Sequence, residues 1–168
     1  MKKLIFVTLL ILPVLTVYSQ SKKELRQQKK QAEYEAAKWL VESMNFEFIA
    51  GRAMPQGGSA VDLTTTSNFL RVADSIADGD LPYFGRAYNV AYSGSGGIKF
   101  EGKAEDYSIR ENKKKTALIV SFTVKGDADV FDCTLSLTSR SNVTLNVASQ
   151  QRDRISYFGM IGELSKGK

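Results

Sequence analysis

From Asn45 onward, apolar and polar residues alternate along short segments, and this period of two is typical of strands with one buried face. Turn signals such as Met54-Pro55-Gln56-Gly57-Gly58 and Lys125-Gly126-Asp127 separate the segments. The signals recur about every ten residues without a helical pattern between them. The pattern therefore predicts roughly eight to ten antiparallel strands.

The predicted core consists of apolar residues that share one face of each strand. Its clearest members are Phe46, Phe48, Leu70, Val72, Leu118, Val120, Phe122, Phe131, Cys133, Leu135, Val143, Leu145 and Val147. One long open sheet would leave two unpaired edges, which closure into a barrel removes. We therefore expect a mostly β, antiparallel up-and-down barrel, or a strongly curled sheet, over residues 45–168. Periodicity alone leaves a two-sheet sandwich open.

Two predicted turns interrupt the middle of this sheet. A strand over Asn68 to Ile76 is expected to end at the turn Asp78-Gly79-Asp80. Further on, the segments 86–92 and 98–100 are expected to be the arms of a hairpin closed by Gly94-Ser95-Gly96-Gly97. No Gly-Lys-Ser/Thr follows these glycines, so a phosphate-binding loop is not predicted.

Residues 20–44 predict one α-helix ahead of the sheet. Apolar residues recur there at helical spacing, namely Leu25, Ala32, Ala36, Trp39 and Leu40. The first half, Ser21 to Lys30, is nearly all polar and is expected to be a solvated arm; a membrane-surface or partner helix is the alternative. Trp39 and Leu40 are expected to dock the second half onto the sheet.

The first 19 residues have the pattern of a signal peptide. Lys2 and Lys3 precede an apolar run from Leu4 to Val17, and Ser19 stands at the expected cleavage position. This run is shorter than the roughly 20 residues of a transmembrane helix. We expect cleavage near Gln20 and a periplasmic or secreted protein without a transmembrane span.

Composition excludes several chemistries. The chain has no histidine, which removes Ser-His-Asp and Cys-His catalysis and imidazole-ligated zinc sites. The net charge of +5, to which Lys2 and Lys3 contribute, is too small to predict nucleic-acid binding. No catalytic residue, metal site or cofactor is predicted, and the chain is not expected to be an enzyme.

Two segments combine aromatic rings with arginines. Tyr83, Arg86 and Tyr88 lie in the first, and Arg152, Arg154 and Tyr157 lie in the second. Arginine recognises planar carboxylates and stacks on aromatic rings. We expect the two segments to meet with a guanidinium over a ring. These six residues are the candidate ligand-binding residues, and a purely structural tie is the alternative.

Three segments carry a resemblance to a known family: Leu81–Tyr88, Gly96–Phe100, and Arg152 with Arg154–Gly159. The chain is similar to the domain of unknown function 4251 family, small exported proteins of Gram-negative gut and environmental bacteria. The resemblance covers roughly Glu42 to Ile161. It implies a lipocalin-like barrel and a secretion signal, and it implies no activity.

These observations favour an exported, non-enzymatic barrel that binds a small apolar or amphipathic ligand, or a partner protein, in the cell envelope. An enzyme that acts on envelope glycans through a carboxylate pair is one alternative; Asp74, Asp78 and Asp80 lie close together but are expected to form an acidic turn. A structural module with a filled barrel is the other. The many Phe, Leu and Val residues at inward positions favour a filled or narrow interior.

Overall fold

The computed structural model describes residues 2–88, 96–112, 117–126 and 129–164, with side chains from Lys22 onward. The chain divides into two compact units, one ending at Glu33 and the other beginning at Tyr34. Helix α1 (Lys2–Glu42) has a continuous helical backbone. The division of this region into a leader and a mature helix at Gln20 stays a prediction. Within the described residues, no helix has the length and hydropathy needed to cross a bilayer.

The described residues after the helix form ten strands. They are β1 (Asn45–Pro55), β2 (Val61–Asp62), β3 (Phe69–Ala73), β4 (Ile76–Leu81), β5 (Ile98–Lys103), β6 (Glu105–Asn112), β7 (Ala117–Lys125), β8 (Val130–Ser139), β9 (Asn142–Ser149) and β10 (Ile155–Gly162). Their order in the sheet is β5-β4-β3-β1-β10-β9-β8-β7-β6, with β2 paired to β1. All pairs are antiparallel, and the last strand lies beside the first. The sheet is thus an up-and-down meander.

The two ends of this order approach each other where β5 packs near β7. A methyl group added at Gly102 in β5 would lie 3.0 Å from the carbonyl oxygen of Lys125 in β7. The sheet is therefore a nearly closed barrel. The prediction of a mostly β, antiparallel, barrel-like fold with one N-terminal helix is confirmed, and the sandwich is excluded.

The predicted core residues all lie inside the barrel and are 5 % exposed or less. On neighbouring strands, Phe122 faces Cys133 and Val120 faces Leu135. The predicted core ends with the strand that carries Val143, Leu145 and Val147, but β10 is a further strand with Ile155 and Tyr157 buried. The exposed apolar Met160 interrupts the alternation of apolar and polar residues in β10, which is why this strand was not predicted.

The predicted turn at Asp78-Gly79-Asp80 is wrong, because these residues lie inside β4. The chain reverses earlier, at Asp74 and Ser75, which adopt φ angles of 47° and 81°. Two successive positive φ angles are the geometry of a two-residue hairpin turn. Gly79 serves packing, since a methyl group there would lie 2.6 Å from Cζ of Phe100.

The last turns of α1 pack through a face different from the predicted one. Tyr34, Ala37, Leu40 and Val41 are buried, whereas Trp39 is 61 % exposed. The expectation that Trp39 docks the helix is therefore wrong, while that for Leu40 is confirmed. At about 100° per residue, Trp39 points away from the face that the buried residues share.

Hydrogen bonds fix this helical segment to β6, an end strand of the sheet. The Tyr34 hydroxyl donates to Oε1 of Glu111 over 2.5 Å. The Tyr107 hydroxyl of β6 donates to the carbonyl of Val41 over 2.7 Å. The segment thus covers one side of β6, which ends the sheet order and pairs with β7 alone among the described strands.

Candidate functional site

The two predicted aromatic–arginine segments meet. The Arg152 guanidinium carbon lies 5.3 Å from the centre of the Tyr83 ring, within the range of a cation–π contact. Nη1 of Arg152 also donates to the carbonyl of Gly97 over 3.0 Å. The expected contact between a guanidinium of one segment and a ring of the other is confirmed.

The backbones of the two segments also pair. Ala87 forms an antiparallel bridge with Arg152. The Tyr88 amide donates to the carbonyl oxygen of Gln151 over 2.8 Å, and the Asp153 amide donates to the carbonyl oxygen of Arg86 over 3.0 Å. Ile98–Lys103, in contrast, pairs with β4. The predicted hairpin between 86–92 and 98–100 is thus wrong for residues 86–88, and its residues 89–92 lie outside the described ones.

Three tyrosine hydroxyls complete this contact. Tyr157 donates to the carbonyl of Pro82 over 2.8 Å. The Tyr83 hydroxyl lies 3.0 Å from the carbonyl oxygen of Asp153. Tyr88 donates to Oδ1 of Asp153 over 2.6 Å. We call Tyr83, Tyr88, Arg152, Asp153 and Tyr157 the clasp.

The pKa shifts of the clasp tyrosines agree with their role as hydrogen-bond donors. Burial is the main cause that raises the pKa of both Tyr83 and Tyr157. The hydrogen bond to Asp153 is the main cause for Tyr88. These phenols therefore remain neutral donors over the ordinary pH range.

A buried carboxylate that the sequence analysis missed lies beside the clasp. The Asp129 side chain is 9 % exposed, and its Oδ2 lies 3.9 Å from Nε of Arg152. Oδ1 accepts from the Val130 amide, whereas Oδ2 has no hydrogen-bond partner among the described residues. Arg152 therefore compensates a buried charge. Nothing in the local sequence distinguishes Asp129 from an ordinary turn residue.

Of the six candidate residues, the clasp contains Tyr83, Tyr88, Arg152 and Tyr157. Arg86 reaches it through its carbonyl oxygen, and its side chain is exposed, as is that of Arg154. The polar groups of the clasp bind to backbone carbonyls of neighbouring residues and to one another, which is typical of a structural tie. The ligand-binding role of the six residues stays a prediction.

A second candidate site is a groove on the outer surface of β1 and β10. It encloses about 870 Å³ and is bounded by the loop of residues 62–68 and the turn at residues 141–143. Two cross-strand pairs line its floor, Ile49 with Met160 and Arg52 with Phe158. Ile49 and Met160 are 48 % and 58 % exposed. The apolar part of the floor is thus open to solvent.

The two strands approach closely beneath this floor. A methyl group added at Gly159 would clash with the carbonyl oxygen of Ile49, so a side chain does not fit at this position. Next to this contact, the register of β1 against β10 shifts between Ala50 and Arg52, which is the signature of a β-bulge. The bulge leaves backbone groups of β1 available to the neighbouring loop.

Two polar side chains fix that loop, one against β1 and the other within the loop itself. The amide of buried Asn68 accepts from the backbone N–H of Ala50 over 2.8 Å and donates to the Ala50 carbonyl over 3.0 Å. Oδ1 of Asp62 accepts from the amide and the hydroxyl of Thr64. These hydrogen bonds lower the pKa of Asp62. The wall of the groove is therefore held in place by the protein's own hydrogen bonds.

One end of the floor carries a cation. The Arg52 guanidinium carbon lies 5.3 Å from the centre of the Phe158 ring. Stacking on a ring leaves the N–H edge of a guanidinium able to donate to a carboxylate or carbonyl. The groove was not predicted from the sequence because its floor residues occupy the outward positions of strands. An apolar Ile49 at such a position was the available signal.

The carboxylates relevant to the alternative of a glycan-hydrolysing enzyme lie on the outer surface of β4 and β5. Asp78 and Glu101 are direct cross-strand partners beside a depression of about 380 Å³. Burial, followed by the charge of Glu101, raises the pKa of Asp78. Asp80 on the same strand pairs with Lys99 over 3.0 Å. Among the described residues, no three His, Cys, Asp or Glu side chains form a group suited to a metal ion.

Comparisons with known proteins agree with the fold. The family model for the domain of unknown function DUF4251 matches residues 28–161. A crystal structure of a DUF4251 family protein from Bacteroides eggerthii is 20 % identical in sequence, with a TM-score of 0.62, and the match covers 81 % of this chain and 91 % of that chain. At this identity the likeness extends to the fold alone. No curated protein matches the chain.

Proposed function

This chain belongs to the DUF4251 family, which has no assigned activity, and we propose from its own surface that it is an exported, non-enzymatic binding protein. It holds an amphipathic small molecule in the groove between β1 and β10. The observation that carries the proposal is the solvent-exposed apolar floor enclosed by polar walls. A volume of about 870 Å³ is within the usual range of small-molecule sites.

The floor supports the apolar half of this ligand. Ile49 and Met160 face each other across the strand pair and remain about half exposed. Covering the exposed part of each side chain contributes about 1 kcal/mol to binding. An alkyl or ring portion of the ligand lies over this pair.

The walls and Arg52 support the polar half. Hydroxyl and amide side chains of residues 64–68 and 141–142 line the rim. Arg52, stacked on Phe158, supplies the cation for an acidic or carbonyl head group. The chain therefore favours an amphipathic ligand over a purely apolar one.

The filled interior favours the outer groove over the barrel lumen. Large inward side chains such as Phe46, Phe48 and Tyr157 are fully buried in the core. They occupy the space that a lipocalin-like ligand would need. The ligand consequently binds outside the barrel wall.

The binding experiment uses a dansyl-labelled undecanoic acid, a fluorescent amphipathic anion, with the exported protein. We expect saturable binding, and Met160→Gln should weaken it about fivefold, which corresponds to about 1 kcal/mol. The matched control is Met54→Gln, since Met54 is an exposed methionine on β1 that lies outside the groove. Absence of saturable binding, or equal weakening by both variants, would contradict the proposal.

Export rests on the leader pattern of residues 1–19. The protein recovered from the envelope or medium of a Gram-negative host should begin at or near Gln20 when its N-terminus is sequenced. An intact Met1 on protein confined to the cytoplasm would contradict export and would leave the groove proposal standing.

A second candidate is an enzyme that hydrolyses envelope glycans. The raised pKa of Asp78 beside its partner Glu101 favours it, because a carboxyl group with a raised pKa can act as a general acid. Hydrolysis of isolated peptidoglycan, if this candidate is right, should be lost in Asp78→Asn. It should persist in Asp80→Asn, whose carboxylate is neutralised by Lys99 in the native protein.

A further inference from the structure

The polar half of α1 carries a basic face. Five cationic residues, Lys22, Lys23, Arg26, Lys29 and Lys30, follow one another in the first turns whose side chains are described. All five are exposed. At about 100° per residue these positions fall within an arc of about 120° on the helix surface. We call them the basic face.

The rest of this segment shows that the arrangement is one-sided. Glu24, Gln28 and Gln31 lie opposite the basic face. Glu33 is the next residue along the basic face and ends it. The segment therefore presents a concentrated positive charge in one direction and uncharged or acidic groups in the other.

We propose that the basic face is a docking surface for an anionic lipid bilayer. This inference goes beyond the proposed function, because the groove has no part in it. Charge complementarity carries it: clusters of four to eight Lys and Arg residues on a helix are typical of binding to acidic lipids. The segment also directly follows the predicted export leader, so that it is the first part of the mature chain to emerge at the membrane.

The residue types favour a lipid surface over a nucleic acid. Four of the five cations are lysines, which act as point charges, whereas Arg26 alone offers a planar fork. Residues 22–33 contain no aromatic ring on which a base could stack. A fluid lipid surface needs neither a fork nor a ring.

The same composition determines how the helix binds. Leu25 is the single large apolar residue among residues 22–33. Insertion into the acyl region requires an apolar face, which is missing here. The helix therefore lies at the depth of the lipid head groups, held by charge. Because salt shortens the screening length to about 3 Å at 1 M, binding is lost at high ionic strength.

The test is cosedimentation of the exported protein, its N-terminus verified by mass spectrometry, with vesicles. One set contains about 30 mol % phosphatidylglycerol in phosphatidylcholine, and the other contains phosphatidylcholine alone. We expect binding to the anionic set at low salt and its loss at about 1 M NaCl. The triple variant Lys22→Gln, Arg26→Gln, Lys29→Gln should bind about 100-fold more weakly, since each cation near an anionic surface contributes about fivefold.

A charge-relocated variant is the matched control. It combines Lys22→Gln with Gln31→Lys and Lys29→Gln with Gln28→Lys, so that the net charge is unchanged while two cations move to the opposite side. We expect its binding to fall by on the order of tenfold. Binding equal to that of the native protein would overturn the role of the basic face.

Two further outcomes would overturn the choice of a lipid surface. One is equal binding to anionic and neutral vesicles. The other is tight, salt-sensitive binding to a single-stranded oligonucleotide without binding to anionic vesicles. Comparing the two vesicle sets cancels any apolar contribution from a retained leader, which binds both alike. Neither of these outcomes affects the result of the groove experiment with dansyl-labelled undecanoic acid.

Discussion

At the scale of single residues, the turn between β3 and β4 contains a residue with an unfavourable backbone conformation. Ser75 adopts a φ of 81°, where a residue with a Cβ is strained and glycine is not. We expect Ser75→Gly to raise the free energy of unfolding by about 0.5–1 kcal/mol. Urea denaturation followed by circular dichroism measures this change.

The control for this substitution is Ser108→Gly. Ser108 is an exposed residue of β6 without a positive φ. Glycine in a strand interior costs about 0.5–1 kcal/mol. The two substitutions should therefore change stability in opposite directions, and a loss of stability in both would contradict the assignment of the turn.

The clasp offers a second prediction at this scale. Arg152 is the cationic partner of buried Asp129. Removing one partner of a buried ion pair leaves the other charge uncompensated, so Arg152→Met should lower the free energy of unfolding by about 3 kcal/mol. Adding Asp129→Asn to that variant should restore part of the loss. A double-mutant cycle by chemical denaturation measures the coupling, and additive effects would show that the pair is not coupled.

At the scale of elements, strand facing was predictable where the alternation is clean. In β7 and β8 every inward residue is apolar, and every outward residue except exposed Val130 is small, polar or half-buried. The predicted facing is confirmed. The β3–β4 turn escaped prediction because Asp74 and Ser75 adopt positive φ without glycine. The docking face of α1 escaped it because Trp39, the largest apolar residue there, lies on the exposed side.

The inward orientation of Phe122 in β7 leads to a prediction about stability. Phe122 is 3 % exposed and stacks on Tyr107 with ring centres 5.9 Å apart. Phe122→Ala should cost about 3–5 kcal/mol through lost transfer energy and a cavity. Thr123→Ala, on the opposite face, removes one exposed hydrogen bond to Asp132 and should cost about 1 kcal/mol or less. Equal losses in guanidinium denaturation would contradict the facing.

The attachment of α1 to β6 predicts a dependence of stability on alkaline pH. Burial first, and then the hydrogen bond to Glu111, raises the pKa of Tyr34 to about 12 in the folded chain from its ordinary value of 10.0. The folded state therefore retains this proton more firmly than the unfolded state, and the contribution is complete below pH 10. It declines as the pH rises from 10 through about 12.

Tyr34→Phe isolates this contribution. The free energy of unfolding of the native chain should fall more steeply between pH 10 and 12 than that of the variant, which has no proton to lose at this position. Parallel curves in urea titrations across this window would show that Tyr34 is not the group responsible.

At the scale of the whole molecule, the barrel was predictable and the groove on its outer surface was not. Repeated alternation and the cost of free edges together point to closure. The clasp was likewise foreseeable from Arg152 and the tyrosine rings. The groove depends on which outward residues become neighbours across β1 and β10, which are separated by most of the chain. Local sequence contains little information about such a pairing.

Closure of the barrel depends on the close approach of β5 to β7. No hydrogen-bonded ladder joins β5 to β6 in the sheet order, so packing across this junction holds the two ends together. Gly102 lies at the contact, where an added methyl would be 3.0 Å from the carbonyl oxygen of Lys125 and 3.5 Å from a methyl of Val124. A larger side chain has to push β5 away from β7.

Gly102→Val should therefore lower the free energy of unfolding by about 1–3 kcal/mol, the usual cost of overpacking. Gly162→Val is the matched control, because Gly162 is also a strand glycine but has no atom within 4 Å of an added methyl. It should change stability by about 0.5 kcal/mol or less. Hydrogen exchange adds a readout specific to closure: amides of β5 and β7 should lose protection in Gly102→Val before those of β9 and β10. Equal loss across all four strands would mean that the junction opens only with the whole barrel.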